Sequence, residues 1–303
     1  MKKTITITLN TAIDCVISED EYSRNKNAVD ITEYATALPA GKGINVSRAL
    51  SCENVDSLAL GFVGIEDKPL FDGVSGEHIK TDFIFVPGNT RRNITVTGCN
   101  DGMEHHIRNA GFSVTEEHIS LLCEKLDFLL AEESVVILSG SLPTGAPIDT
   151  YKRLIERIKK HGSVAILDAG GEALFYGMCA SPYLIKPNLE ELSSLSNSPL
   201  NSDEKMRAFI RKLSSDNNIS YVLTTLSQDG ALLYNLNTDT FLSSPAYTGN
   251  DTSRQIVSSV GCGDTSLAAF LSAHLRGLSD EESLRLSMKR AYYNLFTETP
   301  GMC

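Results

Sequence analysis

Three things are scarce in this 303-residue chain, and each scarcity removes a class of function. No apolar run approaches the roughly 20 residues that a bilayer-crossing helix needs. The opening Met1-Lys2-Lys3 leads into the alternating pattern TITITL instead of a signal-peptide core, so a cytoplasmic protein without a membrane partner is expected. The seven cysteines are odd in number and contain no C-x-x-C spacing, which argues against a disulfide framework or a zinc site and suits a reducing compartment. The six histidines show no ligand spacing; their only close pair, His105-His106, reads as a solvated loop. Positive charge is also short, 27 Lys and Arg against 38 Asp and Glu for a net charge of -11, whereas nucleic-acid binding announces itself by a basic face. Any anionic ligand must then be held by local cations and backbone dipoles.

What is present describes a soluble globular chain, 42% hydrophobic and 21% charged, with no internal repeat. Short apolar or β-branched runs at 4–9, 58–63, 135–139, 164–168, 183–186 and 221–225 predict strands. Amphipathic patterns at 116–131, 150–161 and 202–215 predict helices between them, and Ser279 to Glu282 is a capping box opening a last helix. This alternation implies an α/β fold, a mostly parallel sheet with helices on both faces, in which ligands gather at the carboxyl ends of strands. Asp14, Ser141, Asn188 and Thr225 fall there. The segments 15–37 and 83–108 are polar, strand-like and poor in helical periodicity.

The most informative stretch is Val257 to Leu271, VSSVGCGDTSLAAFL. Gly261 and Gly263 flank Cys262 and lead into Asp264, after which Leu267, Ala268, Leu271 and Leu275 recur at helical spacing until Gly277. Backbone N–H groups at such a helix start lack intrahelical partners, and glycines let phosphate oxygens approach them. A carboxylate beside that nest is placed to take a proton from an attacking hydroxyl. The same sequence would also suit a plain turn with an N-capping Asp. A second glycine segment, PAGKGINVSRAL at 39–50, fits neither Walker A, which needs a glycine five residues before Gly-Lys, nor GxGxxG, since Gly41 and Gly43 are followed by Val46. What remains is a turn that brings Lys42 to the mouth of a helix.

Together these two segments resemble the signatures of the ribokinase-like (pfkB) carbohydrate kinase family, in its branch that phosphorylates sugar phosphates. TLNTAID (8–14), LSGSLPTGAP (138–147), LDAGGEAL (167–174) and LIKPNLEEL (184–192) match in order, so the resemblance spans nearly the whole chain. It implies one ribokinase-like domain over 1–303, with a small β-sheet lid from about 15–37 and 83–108 that relatives sometimes share in a homodimer. It implies ATP and Mg²⁺ as cofactors, a monovalent cation in some members, and a 1-phosphofructokinase or tagatose-6-phosphate kinase activity. Asp264 would be the base, with Gly261, Cys262 and Gly263 forming the anion nest. Asp14, Gly41, Lys42, Asn45, Asn93 and Ser141 would bind the sugar, and Arg91 would clamp its phosphate. Lys186, Asn188, Glu191, Thr225, Ser227, Gly230 and Asn294 would serve the nucleotide, with Glu191 also tuning the metal. A second basic lid residue is expected near 24–27. Two departures stand out: Ser227 replaces a usual glycine, and Cys262 replaces a usual alanine or serine. A thiol at that helix start would have a lowered pKa and high reactivity unless Asp264 opposes it. NAGFSVT (109–115) and the GINVSR helix favour D-fructose 1-phosphate as acceptor over tagatose 6-phosphate. A non-catalytic sensor on this fold would lose the base that Asp264 supplies.

Overall fold

The computed structural model describes residues 3–18, 36–97, 105–130, 133–196, 198–249 and 256–302. The expected second basic lid residue near 24–27 lies outside them. Strand β1 (Thr4–Thr8) is buried on both faces and pairs in parallel with β4 (Ser57–Gly64) on one side and β9 (Val135–Ser139) on the other. A strand covered by helices on both faces needs apolar or small side chains at every position, and TITIT and VVILS supply them. The ten-stranded sheet continues outward from β9 through β10 (Val164–Asp168), β11 (Leu184–Ile185), β12 (Tyr221–Thr225), β13 (Ala231–Asn235) and β14 (Thr240–Ser244). Its other flank carries β5 (Ile79–Thr81) and β6 (Ile84–Val86), both paired to β4. Only the β12–β13–β14 edge is antiparallel.

Helices α1 (Lys42–Ser51), α8 (Cys262–Leu275) and α9 (Asp280–Asn294) pack on one face. Helices α3 (Glu116–Leu129), α4 (Thr150–Lys160), α5 (Gly171–Met178), α6 (Leu189–Leu195) and α7 (Asp203–Asn217) pack on the other, and α2 (Lys68–Asp72) is a short turn beside β4. The expected strands and helices are present, with 183–186 reduced to Leu184–Ile185 because Pro187 follows and cannot donate to a ladder. Ser279 and Glu282 form the reciprocal cap that opens α9. Among the described residues, no helix is long and apolar enough to cross a membrane.

The segments expected to form a lid contribute to a separate four-stranded sheet of order β3 (Thr36–Ala40), β2 (Ala12–Ser18), β7 (Arg91–Thr97) and β8 (His105–Arg108), which starts earlier than expected, at Ala12, and leaves out Ile84–Val86, paired to β4 in the main sheet. Two further expectations change here. His105-His106 belong to strand β8 and not to a loop, because Val96 and Thr95 across the ladder supply partners for that backbone. Cys52, at the end of α1, is disulfide-bonded, a pairing that local spacing does not announce, while Cys15, Cys123, Cys179 and Cys262 are in no disulfide.

Candidate active site

A cavity of about 780 Å³ opens where the lid meets the carboxyl ends of the central strands. Its lid wall is set by register. Parallel pairing of β2 with β7 puts Asp14 opposite Asn93, and Asn93 Nδ2 donates to Asp14 Oδ1 at 2.7 Å. Side chains alternate along a strand, so Arg91 and Asn93 share the cavity face while Arg92 turns away to pair with Asp67 at 3.4 Å. Arg91 Nε is anchored on the Thr11 carbonyl at 3.3 Å. The Asn93 Oδ1 acceptor is buried without a hydrogen-bond partner, so it can accept from a ligand hydroxyl.

The floor is made by two helix starts. Helix α1 begins after Gly41 and contributes Lys42 and Asn45. Helix α8 begins at Gly261, whose φ of 81° is left-handed and whose missing Cβ would lie 2.5 Å from Pro300 Cβ; a side chain there is excluded twice over. The Cys262 N–H is used on the Ser259 carbonyl at 3.3 Å, which leaves the Gly263 and Asp264 amides of the first turn, at positions without an intrahelical acceptor, in the cavity wall. Asp264 is 5% exposed, and its Oδ2 accepts from Asn45 Nδ2 at 2.9 Å. Burial and then the nearby Asp168 charge push the Asp264 carboxyl up to about 6, against the opposing pull of Lys42, Asn45 and Lys186. That value suits a proton acceptor working near neutrality.

Asp168 ends β10 with no exposed surface, and its Oδ1 receives Lys42 Nζ at 3.1 Å and Lys186 Nζ at 3.3 Å. Burial alone would raise Asp168, but the charges of Lys186 and Lys42 bring it below the ordinary carboxylate range. The Asp168 charge in turn raises the Lys42 ammonium above its usual value, outweighing burial. On the far wall, Asn188 Oδ1 accepts from the Glu191 N–H at 2.7 Å, and the Asn188 N–H donates to Glu191 Oε2 at 2.9 Å. The Asn-x-x-Glu spacing is thus a capping box at the start of α6. It fits closely against the start of α5: a Cβ on its N-cap Gly170 would come within 2.8 Å of Glu191 Oε1.

Of the residues singled out from sequence, Asp14, Gly41, Lys42, Asn45, Arg91, Asn93, Lys186, Asn188, Glu191, Thr225, Ser227, Gly230 and Gly261 to Asp264 line this cavity. Ser141 and Asn294 do not. Ser141 instead accepts a hydrogen bond from Asn10 Nδ2 at 3.1 Å. Asn294 is 1% exposed and braces the nest from behind, donating to the Val260 carbonyl at 2.8 Å and accepting from Thr265 Oγ1 and the Gly301 N–H. The wall expected of Asn294 is made by Met288, Ala291 and Tyr292 of the same helix and by Leu295 at its C-cap, an apolar face with Tyr247 set edge-on to Tyr292 at 5.3 Å. It offers a flat surface to a planar ring. Asn45, expected to bind the sugar, spends its amide on Asp264. Cys262 is no activated thiol: burial and then the Asp264 charge push it up, with only Asn294 opposing. Ser227 sits at φ 54°, a left-handed conformation that glycine adopts at less cost. Asp168 went unassigned from sequence; its signal is a carboxylate directly after the buried run VAIL, at the carboxyl end of a central strand.

Fold and site together define a ribokinase-like α/β enzyme whose cavity joins a buried carboxylate, a glycine-flanked helix start and a small second sheet. The signature of the pfkB family carbohydrate kinases matches residues 4–294, and the chain belongs to that family. It is 32% identical over 305 residues to 1-phosphofructokinase of Bacillus subtilis (98% of this chain, 93% of the relative). It is 27% identical over 300 residues to tagatose-6-phosphate kinase of Staphylococcus epidermidis, with the same coverage of 98% and 93%. The fold is shared with phosphofructokinase-2 from Escherichia coli, at a TM-score of 0.85, 22% identity, and coverage of 100% of this chain and 96% of that one. Ribokinase of Arabidopsis thaliana follows at a TM-score of 0.71 and 19% identity, covering 99% and 95%.

Proposed function

We propose that this protein transfers the γ-phosphoryl group of ATP to the free primary hydroxyl of a ketohexose phosphate, with D-fructose 1-phosphate as acceptor and fructose 1,6-bisphosphate as product. The observation that carries this reading is the single cavity that joins a buried Asp264, raised to about 6, to the Gly261–Gly263 helix start and to a lid wall bearing Arg91, Asp14 and Asn93. Arg91 supplies a planar cation for the phosphate already on the sugar, while Asp14 and Asn93 take its hydroxyls. Asp264 accepts the hydroxyl proton as the sugar oxygen bonds to the γ-phosphorus and the bond to ADP breaks. The Gly263 and Asp264 amides, with Lys42 and Lys186, stabilise negative charge on the group in flight. The apolar face of α9 takes the adenine.

Glu191 is the carboxylate that the far wall offers to Mg²⁺. No cluster of three His, Cys, Asp or Glu suited to a metal occurs among the described residues. A magnesium ion, which keeps waters and nucleotide phosphates as ligands, fits such a wall, and it would neutralise charge on those phosphates. A homodimer through the lid and a cytoplasmic location agree with this reading.

The test is an ADP-release assay across fructose 1-phosphate, tagatose 6-phosphate, fructose 6-phosphate and free fructose. Fructose 1-phosphate should give the highest kcat/KM, and free fructose should lose about 10² to 10⁴-fold because it forgoes the charge-assisted hydrogen bonds between a phosphate and Arg91. A preference for tagatose 6-phosphate, the substrate class of the 27% relative, would replace the acceptor and keep the chemistry. Equal turnover of free fructose would reject the sugar-phosphate reading. In acid, kcat/KM should fall about tenfold per pH unit below about 6, as Asp264 takes up its proton.

A further inference from the structure

Asp168 does not line the cavity, yet both lysines it holds do. Lys42 arrives from the first turn of α1, on the side of the lid, and its side chain is 38% exposed. Lys186 arrives from the end of β11, is 4% exposed, and its Nζ lies 3.4 Å from where a Cβ on Gly263 would stand, against the anion nest. A lysine is a point charge on a four-carbon stem with many rotamers, and two of them converging on one phosphoryl group would also repel each other. One carboxylate oxygen between them removes both problems. The second oxygen, Asp168 Oδ2, is buried with no hydrogen-bond partner, although a fully buried carboxylate that served packing alone would have both oxygens satisfied.

Resting on the phosphoryl-transfer reading, we propose that Asp168 is a positioning residue that holds Lys42 and Lys186 as one unit, so that the acceptor and donor halves of the cavity are set by a single buried anion. Asp168 and Asp264 balance the charges of Lys42 and Lys186. The groups that bear on this quartet are Glu191 of α6, which acts on Lys42, Tyr151 of α4, on which Asp168 acts, and Cys262 of α8, on which Asp264 acts. Removal of the Asp168 charge would leave Asp264 facing two uncompensated cations. The base would then hold its proton less tightly while the lysines lose their shared seat.

The experiment compares wild type with Asp168→Asn, reading kcat, both KM values and the pH profile, with circular dichroism to measure the folded fraction. The expected result is a rise in KM for the sugar phosphate and for ATP together, each about tenfold or more, and a fall of about one pH unit or more in the acidic limb of kcat/KM. A merely structural role would scale activity with the folded fraction and leave the acidic limb in place; that outcome overturns the proposal. So does a KM effect confined to one substrate. If Asp168→Asn does not fold, the answer comes from Lys42→Met, Lys186→Met and their double variant. Lysines seated on one anion act as a unit, so the double variant should lose at least about fivefold less than the product of the single losses. Losses that multiply would overturn the coupling. A wild type without phosphoryl transfer to any of the four sugars sinks both the function and this inference, whereas an active wild type with an unshifted Asp168→Asn sinks the inference alone.

Discussion

Helix α8 has a polar cluster at each end, and the two ends are built differently. At its first turn, Asp264 takes one hydrogen bond, from Asn45, and otherwise borders a cavity. At its last turn, His274 lies 3.0 Å from the Tyr183 hydroxyl and 3.4 Å from Asp280, while the Asp280 carboxylate accepts from Tyr221 Oη at 3.3 Å and from Asn235 Nδ2 at 2.8 Å. The second cluster is closed on itself: each of its side chains has a partner within the protein, and His274 Nδ1 alone, 3.4 Å from Asp280, makes no hydrogen bond. The first keeps groups open to a ligand. Buried polar residues mark function where they are left with work to do, and stability where they are not.

The largest effect that sharpens this contrast is Asp264→Asn. Turnover should fall about 10² to 10⁴-fold, with the KM for ATP nearly unchanged, since the amide keeps the shape and cannot accept the proton. Stability should move the other way. A carboxyl raised from 3.8 to about 6 in the folded state binds its proton more tightly there than in the unfolded chain, so it favours folding below pH 3.8 and loses that advantage as pH rises through 6. At pH 8 the ionised group therefore costs on the order of 3 kcal/mol. Urea unfolding at pH 8 should show Asp264→Asn at least as stable as wild type, and a clear destabilisation would make the open end a structural cluster like the closed one.

The fold was largely legible because its strands are buried on both faces. Runs such as VVILS and YVLTT cannot be anything amphipathic, and their bounds agree with the structure to the residue. The β13–β14 hairpin escaped notice because it is an antiparallel addition at the sheet edge, fixed by pairing and not by a periodic pattern of its own. At the site, local motifs singled out Gly261, Gly263, Lys42 and Asp264, which line the cavity. Long-range partners stayed hidden: Asp168 finds its lysines across the fold. Asn294 was misread through helix phase, since Met288, Ala291, Tyr292 and Leu295 share one face and residue 294 points inward.

A middle-sized effect should come from the closed end. Asp280→Ala strips the acceptor from Tyr221 and Asn235, at a cost of about 1–3 kcal/mol in chemical denaturation. Its kcat and both KM values should stay within about twofold of wild type, because the change lies at the opposite end of the helix from the chemistry. Loss of turnover in a fully folded Asp280→Ala would show that the two ends of α8 communicate.

The smallest effect belongs to Ser227. Left-handed backbone costs an L-residue about 1–2 kcal/mol, and glycine returns part of that gain in unfolded-state entropy. Ser227→Gly should therefore stabilise the ligand-free protein by about 0.5 kcal/mol, visible as a rise in Tm of a few degrees or less. A lower Tm would mean that the hydroxyl contributes more than the strain removes.

From Asp264 to Ala273 every residue of α8 is buried. A helix embedded on all sides cannot turn or slide to suit a new sugar, so the carboxylate in its first turn inherits the rigidity of the core. Strands β2 and β7 carry Asp14, Arg91 and Asn93 on a sheet of their own, which rests on the main body through Ile13 and Cys15, packed with Ile44, Ala59 and Val63. Inheritance can therefore act on the two separately. On the proposed reading, exchanging these strands among relatives, together with the core side chains they rest on, would change which sugar is accepted without redesigning how the phosphoryl group moves.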